Sequence, residues 1–131
     1  MRVIDSSTLI KYFTREEGWE KAREVVLEGV VTLDLAIKEV ANALWKKVVK
    51  GDLSYEAAVE ILKDLVEERP LPIADQNRYL IDAFKASTKY GITIYDALFI
   101  VLSKERNQEL ATSDVKQVRI ARELGLKAIL V

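Results

Sequence analysis

The stretch that decides the fold is Ile92–Asp114, which reads ITIYDALFIVLSKERNQELATSD. Thr93, followed three residues later by Asp96, has the spacing of a helix N-terminus, and an apolar run continues from there. Glu109–Thr112 has the character of a short strand that ends before Asp114. A helix, a turn and a strand fold the chain back on itself. Asp96 and Asp114 are therefore predicted to approach one edge of a sheet.

Strands and helices alternate along the rest of the chain. The predicted strands are Arg2–Ile4, Val30–Leu33, Leu71–Ala74, Glu109–Thr112 and Lys127–Val131. The predicted helices are Trp19–Leu27, Asp34 (the N-cap) to about Lys50, Ser54 to about Glu68, Asp75 (the cap) to about Lys89, Thr93 onward, and Val115–Leu124. A break between helices is predicted at Arg69–Pro72. Because parallel neighbours need crossover connections, this alternation predicts an α/β domain with a central, mainly parallel sheet.

Composition excludes several kinds of chemistry. The chain has 131 residues, which predicts one domain over residues 1–131 with a single core. It contains no Cys and no His, so disulfides, thiolate or imidazole metal sites and Ser-His-Asp catalysis are excluded. Its five glycines stand alone, so no Gly-rich loop cradles a nucleotide phosphate. Chemistry therefore depends on carboxylates, hydroxyls, Lys or a bound ion.

The sequence indicates neither a membrane span nor secretion. The longest uninterrupted apolar run, Ala97–Leu102, has six residues, and no apolar segment near the N-terminus has the length of a signal peptide. A cytoplasmic location is the resulting expectation. The net charge of −1 gives no general basic field, so a nucleic-acid substrate requires a local positive patch.

Four acids stand near the ends of predicted elements. Asp5 and Asp114 follow strands, and ligands in parallel α/β folds gather at the carboxyl ends of strands. Both also suit a cap, and Asp96 in a first helical turn is favoured by the helix dipole. Glu39 lies opposite the apolar face of its helix, which indicates either a solvated face or the rim of a cleft. Taken singly, none of the four distinguishes these interpretations.

Taken together, the four acids predict a metal site. Their positions indicate convergence on one sheet edge, and like charges a few ångströms apart repel unless protons or a cation intervene. Mg²⁺ and Mn²⁺ prefer oxygen ligands, and two such ions about 4 Å apart can hold the attacking and leaving oxygens of a phosphodiester. Because His is absent, water activated by a metal ion is the nucleophile that the sequence favours.

Four short motifs carry a resemblance to a known family. They are Val3-Ile4-Asp5-Ser6-Ser7, Glu39-Val40-Ala41-Asn42-Ala43-Leu44, Ile94-Tyr95-Asp96-Ala97-Leu98 and Leu110-Ala111-Thr112-Ser113-Asp114. In this order and spacing the chain resembles, over its whole length, the PIN domain (named for the PilT N-terminus), and most of all the ribonuclease toxins of the VapC type. The resemblance implies a three-layer α/β/α fold.

The resemblance also implies an activity and partners. It implies a site for Mg²⁺ or Mn²⁺ whose catalytic, metal-binding acids are Asp5, Glu39, Asp96 and Asp114. Ser7 and Thr112 match the hydroxyls that support that site in the family. The implied reaction is cleavage of single-stranded RNA that leaves a 5′-phosphate and a 3′-hydroxyl. A small antitoxin protein and a homodimer are the implied partners.

Two features of the last helix stay open. Some relatives carry another acid just after the final aspartate, whereas Val115–Val118 offers none, so the site is interpreted as holding one or two ions. Lys116, Arg119 and Arg122 lie three residues apart and are interpreted either as phosphate contacts or as a solvated helix face.

Other functions compete with a toxin nuclease. A phosphatase with an aspartyl nucleophile needs a second acid two residues after Asp5, and a phosphoacceptor domain needs an adjacent acid pair, and the sequence has neither. A free-standing RNA-processing nuclease and an inactive PIN-like module that binds RNA or protein are the remaining alternatives. Retention of all four carboxylates argues against the inactive module, because their repulsion without a metal has no structural benefit.

Overall fold

The computed structural model of the protein describes residues 1–68 and 70–131, so Arg69 of the predicted break lies outside the described residues. The strands are β1 (Arg2–Ile4), β2 (Val30–Leu33), β3 (Ile73–Ala74), β4 (Leu110–Thr112) and β5 (Ala128–Leu130). The α-helices are α1 (Ser6–Thr14), α2 (Trp19–Leu27), α3 (Asp34–Lys50), α4 (Tyr55–Lys63), α5 (Leu80–Tyr90), α6 (Ile94–Arg106) and α7 (Val115–Glu123). A π-helical turn, Asp64–Glu68, follows α4, and a 3₁₀ turn, Gln76–Tyr79, precedes α5.

The five strands of the described residues form one parallel sheet in the order β3-β2-β1-β4-β5. β1 is central, with Val3 opposite Val31 of β2 on one side and Leu110 of β4 on the other. All three side chains are buried, as expected for a parallel sheet that is covered on both faces. The predicted α/β architecture with a mainly parallel sheet is confirmed.

The helices form two layers, one on each face of the sheet. The chain runs from β1 through β2 to β3 in one direction, then crosses back to β4 and β5. Right-handed crossovers place the connecting helices of opposite directions on opposite faces. Accordingly, α1 packs on α2 and α3, whereas α6 packs on α5 and contacts β1 and β4. The arrangement is a three-layer α/β/α domain.

Helix α6 is buried along most of its length because its sequence is apolar on all sides. Residues 97–103 are all buried. The predicted start at Thr93 is confirmed, since its hydroxyl oxygen accepts the Asp96 N–H at 3.2 Å. Although α6 is apolar, none of the helices in the described ranges has the length and hydropathy of a membrane span.

The first helix and the start of the third differ from the predictions. The sequence predicted no more than a capped turn after Asp5, whereas α1 continues to Thr14 and ends at Arg15 in the left-handed conformation (φ 53°). No glycine marks that end, so the usual stop signal is missing. Asp34 was wrongly predicted as the N-cap of α3. Leu33 occupies that position, and the Asp34 carboxylate instead accepts the Gln76 N–H at 2.8 Å.

The predicted helical hairpin is present as α3 and α4. The C-cap of α3 is Gly51, whose φ of 83° is accessible to glycine at little cost. The hairpin carries exposed apolar side chains, since Trp45 is 61% exposed and Val49 and Tyr55 are each 68% exposed. Core packing therefore does not explain these three residues.

Candidate active site

The site lies at the carboxyl ends of β1 and β4, where the strand order reverses. These two strands are neighbours, with Ile4 opposite Ala111, although β2 and β3 lie between them in the sequence. Asp5 follows β1 directly, and Asp114 follows β4 after one intervening residue. Reversal points of this kind form crevices in open α/β sheets, and ligands bind in them. The four predicted acids, Asp5, Glu39, Asp96 and Asp114, are called the acidic edge from here on.

Hydroxyl groups hold the Asp5 carboxylate in place. Its Oδ1 accepts hydrogen bonds from Ser7 Oγ at 2.6 Å and from the backbone N–H of Thr8 at 3.3 Å. Its Oδ2 accepts a short hydrogen bond from Thr112 Oγ1. The bond to Thr8 caps α1, so the capping interpretation of Asp5 is confirmed. Asp5 therefore caps a helix and also joins β1 to β4.

The same hydroxyls fix the loop that leads to Asp114. Ser7 Oγ accepts the Ser113 N–H at 3.0 Å, and Thr112 Oγ1 accepts the Asp114 N–H at 3.0 Å. Thr8 Oγ1 donates to the Ala111 carbonyl at 3.3 Å. Thr8 could not be identified from the sequence, because a buried threonine in a helix has no distinguishing pattern. These bonds hold the ends of β1 and β4 together.

Burial is the main influence on the Asp5 carboxylate. Asp5 is 6% exposed, and removal from water raises its pKa above the ordinary value of 3.8. Hydrogen bonds from Ser7, Thr112 and Thr8 oppose that rise, and the charge of Asp114 adds to it. The hydroxyl donors therefore favour the charged form of Asp5, and burial together with Asp114 disfavours it.

Glu39 lies at the border of the crevice, as in the second interpretation of its helix face, the rim of a cleft. The residue is half-buried, and its Oε1 is shielded from solvent and has no hydrogen-bond donor among the described residues. Helix α1 packs against α3, although Asn42 and Lys46 on the same side of α3 as Glu39 are exposed. Burial raises the Glu39 pKa above 4.5, the nearby Ser6 side chain opposes the rise, and the charges of Asp5 and Asp96 add to it. Ser6 was not identified from the sequence.

Asp96 lies in the first turn of α6, at the border of the same crevice. Burial is the largest cause of its raised pKa, and the charge of Asp114 is the second. The Thr93 hydroxyl and the charge of Lys116 act in the opposite direction. The Asp96 carbonyl accepts a hydrogen bond at 2.9 Å from the amide of the buried Gln117, which ties α6 to α7. Gln117 is a further residue that the sequence analysis missed.

Asp114 is the exposed member of the acidic edge. Its Oδ1 accepts the Lys116 N–H at 2.9 Å and caps α7, so the capping interpretation holds for this residue too. Its charge acts on both Asp5 and Asp96, and Glu39 is coupled to the same two residues. The fold thus brings all four acids within electrostatic range of one another.

The four acids interact electrostatically, but their carboxylate groups do not converge on one point. Within residues 1–68 and 70–131, no three acidic side chains are grouped closely enough to share one ion as they stand. Nor, in these ranges, is any of the four carboxylates within ion-pairing distance of Lys or Arg. The site is a set of hard oxygen ligands with negative charge that has no paired cation, and such a set attracts divalent cations such as Mg²⁺ or Mn²⁺.

Known proteins resemble this chain in sequence and in fold. The PIN domain family model matches residues 2–123. Ribonuclease VapC3 of Pyrobaculum aerophilum is 36% identical over 115 residues, which cover 86% of this chain and 88% of that protein. Exonuclease VapC9 of the same organism is 27% identical over 112 residues, or 86% and 79% of the two chains.

Two solved structures share the fold. PAE2754 from Pyrobaculum aerophilum superposes with a TM-score of 0.73 at 24% identity, covering 97% of this chain and 89% of that one. FitAcB from Neisseria gonorrhoeae superposes with a TM-score of 0.62 at 13% identity, covering 98% and 96%. At these identities the two likenesses support the architecture alone.

Proposed function

Since the chain belongs to the PIN domain family, we propose that it is a metal-dependent endoribonuclease that cleaves single-stranded RNA at the acidic edge. The observation that carries the proposal is the buried Glu39 Oε1, which finds no donor within residues 1–68 and 70–131 and lies near the carboxylates of Asp5 and Asp96. A buried acceptor without a partner costs about 1–3 kcal/mol, so an external partner is favoured there. The names of the relatives, a ribonuclease and an exonuclease, support nuclease chemistry.

The residues fit a divalent cation of the Mg²⁺ or Mn²⁺ type. Every candidate ligand is a carboxylate oxygen, which these hard ions prefer. A cation would stabilise the charged forms of Asp5, Glu39 and Asp96, whose pKa values are raised mainly by burial and further by neighbouring carboxylates. Asp5 is already held by hydroxyl donors, whereas Glu39 and Asp96 lie on helix surfaces at the crevice. The residues that would hold the ion are the four of the acidic edge, and rotation of side chains is part of binding.

The proposed reaction adds water across one phosphodiester bond. A bound divalent cation supplies the positive charge that activates water and offsets the negative charge that builds on the phosphate. The water oxygen bonds to phosphorus, the bond from phosphorus to O3′ breaks, and a proton reaches the leaving O3′. The products are a 3′-hydroxyl and a 5′-phosphate. Ser7 and Thr112 act by orienting Asp5, because both donate to its carboxylate.

An antitoxin is the proposed regulator. A nuclease that cleaves cellular RNA must be silenced, and an acidic site suits a cationic side chain from a partner. Arg fits this role, because its planar fork binds two carboxylate oxygens and stays charged when partly buried. The proposed partner is a short protein whose tail places an Arg or Lys against the acidic edge. The protein is also proposed to form a homodimer.

A cleavage assay tests the proposal directly. Labelled single-stranded RNA is incubated with the protein and Mn²⁺, then with a chelator, and the ends of the products are identified. Chelator-sensitive cleavage with 5′-phosphate ends is the expected result. An intact RNA band that shifts on a native gel would instead identify a binding module. Cleavage that persists with chelator and in the Asp96→Asn variant would overturn the metal-dependent mechanism.

A further inference from the structure

The groove beside α7 has a lining that differs from the rest of the surface. It has a volume of about 520 Å³, and its lining residues are Val115, Val118, Arg119, Arg122, Glu123 and Leu130. It is called the α7 groove. Val115 is 69% exposed and Leu130 is 43% exposed, so its walls combine exposed apolar surface with two guanidinium groups. A volume between about 300 and 1,000 Å³ is typical of sites for small ligands.

The cations of the α7 groove are not neutralised by acids. Arg122 donates to the Ala128 carbonyl from Nε at 3.3 Å and from Nη2 at 2.9 Å, so a neutral group fixes its position and leaves its charge uncompensated. Arg119 is exposed, and in the described part of the chain no acid, Glu123 included, lies within ion-pairing distance of either arginine. The groove therefore presents positive charge on a fixed frame.

The groove continues from the acidic edge. Helix α7 begins directly after Asp114, and Lys116 in its first turn acts electrostatically on Asp96. Lys116, Arg119 and Arg122 are spaced three residues apart, so they cover about 9 Å along the helix axis. A row of this length can contact more than one phosphate of an RNA strand. A row of cations thus leads away from the proposed point of cleavage.

We propose that the α7 groove holds the RNA backbone next to the cleaved phosphate, with Arg119 and Arg122 contacting phosphates and Val115 and Leu130 contacting a nucleoside. This inference rests on the proposed ribonuclease function. Single-stranded nucleic acids bind where a positive groove follows the backbone. Val115 and Leu130 are aliphatic, so they offer van der Waals contact to a nucleoside rather than stacking. The other large groove is lined by two acids, Asp34 and Asp75, and one cation, Lys38, so its charge does not suit a polyanion.

Arg119 is the residue on which the inference is tested. It is exposed, and its side chain makes no ion pair in the described residues, so its replacement leaves the fold intact. Arg122 is less suitable because its bonds to Ala128 hold α7 to β5. Arg119→Gln and Arg119→Glu are made in the Asp96→Asn background, so binding is measured without cleavage. Arg23→Gln, at an exposed arginine of α2, is the matched control.

Binding of a short single-stranded RNA is followed by fluorescence anisotropy as salt is raised from about 50 to 200 mM. Arg119→Gln is expected to weaken binding about fivefold and to reduce the slope of log affinity against log salt by about 0.7. Arg119→Glu is expected to weaken binding more, and Arg23→Gln to leave it unchanged. The inference is overturned if Arg119→Gln in the Asp96→Asn background has the same salt slope as Asp96→Asn alone. It is also overturned if Asp96→Asn alone does not bind RNA.

A small substrate separates this inference from the proposed function. Bis(p-nitrophenyl) phosphate has one phosphodiester and no neighbouring phosphates, so it does not extend into the α7 groove. With an intact Asp96, Arg119→Gln is expected to hydrolyse it at the wild-type rate while cleaving RNA with a raised KM. Equal losses on both substrates overturn the inference and leave the nuclease function standing. No hydrolysis of either substrate, together with the expected binding slope, overturns the nuclease function and leaves the groove as an RNA site.

Discussion

Both ends of the parallel sheet carry acidic side chains, but only the amino end neutralises them. There, the Arg2 guanidinium forms ion pairs with Glu28 and with Glu109, the latter at 2.7 Å; these residues are called the amino-end triad. At the carboxyl end, no carboxylate of the acidic edge reaches a cation within the described residues. An acid next to a strand end therefore does not identify a site. A cluster of partly buried acids without a counter-charge is the better indicator.

The titration behaviour of the two ends differs in the same way. Hydrogen bonds from Arg2 to Glu109 and Glu28 raise the Arg2 pKa, so each charge in the amino-end triad stabilises the other. At the acidic edge, burial raises the pKa of Asp5, Glu39 and Asp96, which means that their charged forms are destabilised. The charges of the amino-end triad are paired within the protein, whereas a bound cation would stabilise the charged carboxylates of the acidic edge.

The largest expected contrast between the two ends is in RNA cleavage. Asp96→Asn keeps the shape of the side chain and the helix start but removes the charge that a cation needs, and we expect at least about a 100-fold loss of activity. Glu109→Gln, in the amino-end triad, is the matched control and should retain activity within about twofold. Rates on labelled single-stranded RNA with saturating Mn²⁺ measure both. Wild-type activity in Asp96→Asn would show that Asp96 serves only the first turn of α6 and does not bind a metal ion.

Metal binding should stabilise the protein only through the acidic edge, at the carboxyl end of the sheet. An ion that binds the folded state raises the free energy of unfolding by about 2.7 kcal/mol at a hundred times its dissociation constant. We expect thermal unfolding of the wild type to shift upward as Mn²⁺ is added, and the Asp5→Asn variant to shift much less. Glu109→Gln should shift as the wild type does. Equal shifts in all three proteins would indicate ion binding outside the acidic edge.

The sequence predicted the frame of the molecule well, because the frame depends on local signals. The strands β1 and β4 are short apolar runs that end at polar residues, and Thr93 caps α6 where its spacing predicts. Helix α1 was missed because Arg15 ends it in a left-handed conformation without glycine. Its polar and β-branched start, Ser6–Thr8, also gives a weak helix signal.

The candidate site was less predictable, because it depends on packing between distant elements. A helical wheel places Glu39 on the polar side of α3, where Asn42 and Lys46 are exposed, and it gives no sign that Glu39 Oε1 is shielded from solvent. The positions of Asp5 and Asp114 followed from the topology, since parallel strands end at one edge. Their hydroxyl partners Ser7 and Thr112 came from the family resemblance, whereas Ser6, Thr8 and Gln117 have no pattern that separates them from ordinary helix residues.

A smaller contrast is expected in the pH dependence of stability without metal. Raised carboxyl pKa values mean that the folded state binds more protons than the unfolded state. In chelator, stability should therefore fall as pH rises from the ordinary values of 3.8 and 4.5 through the raised ones. Glu39→Gln should flatten this fall, and Glu109→Gln should not. Denaturant unfolding across that window measures it, and a parallel profile for Glu39→Gln would mean that Glu39 titrates normally.

The smallest expected effect belongs to the amino-end triad. Arg2→Gln removes both ion pairs and leaves Glu28 and Glu109 near each other without a cation, so the folded state is destabilised. Pairs that are partly exposed contribute little, and we expect a loss of about 1 kcal/mol. Since the triad lies at the far end of the strands, RNA cleavage and the Mn²⁺-induced shift should stay at wild-type values. Chemical denaturation, the cleavage rate and thermal unfolding of Arg2→Gln test the three statements together. A loss of cleavage larger than the change in folded fraction would show that the two ends of the sheet are coupled.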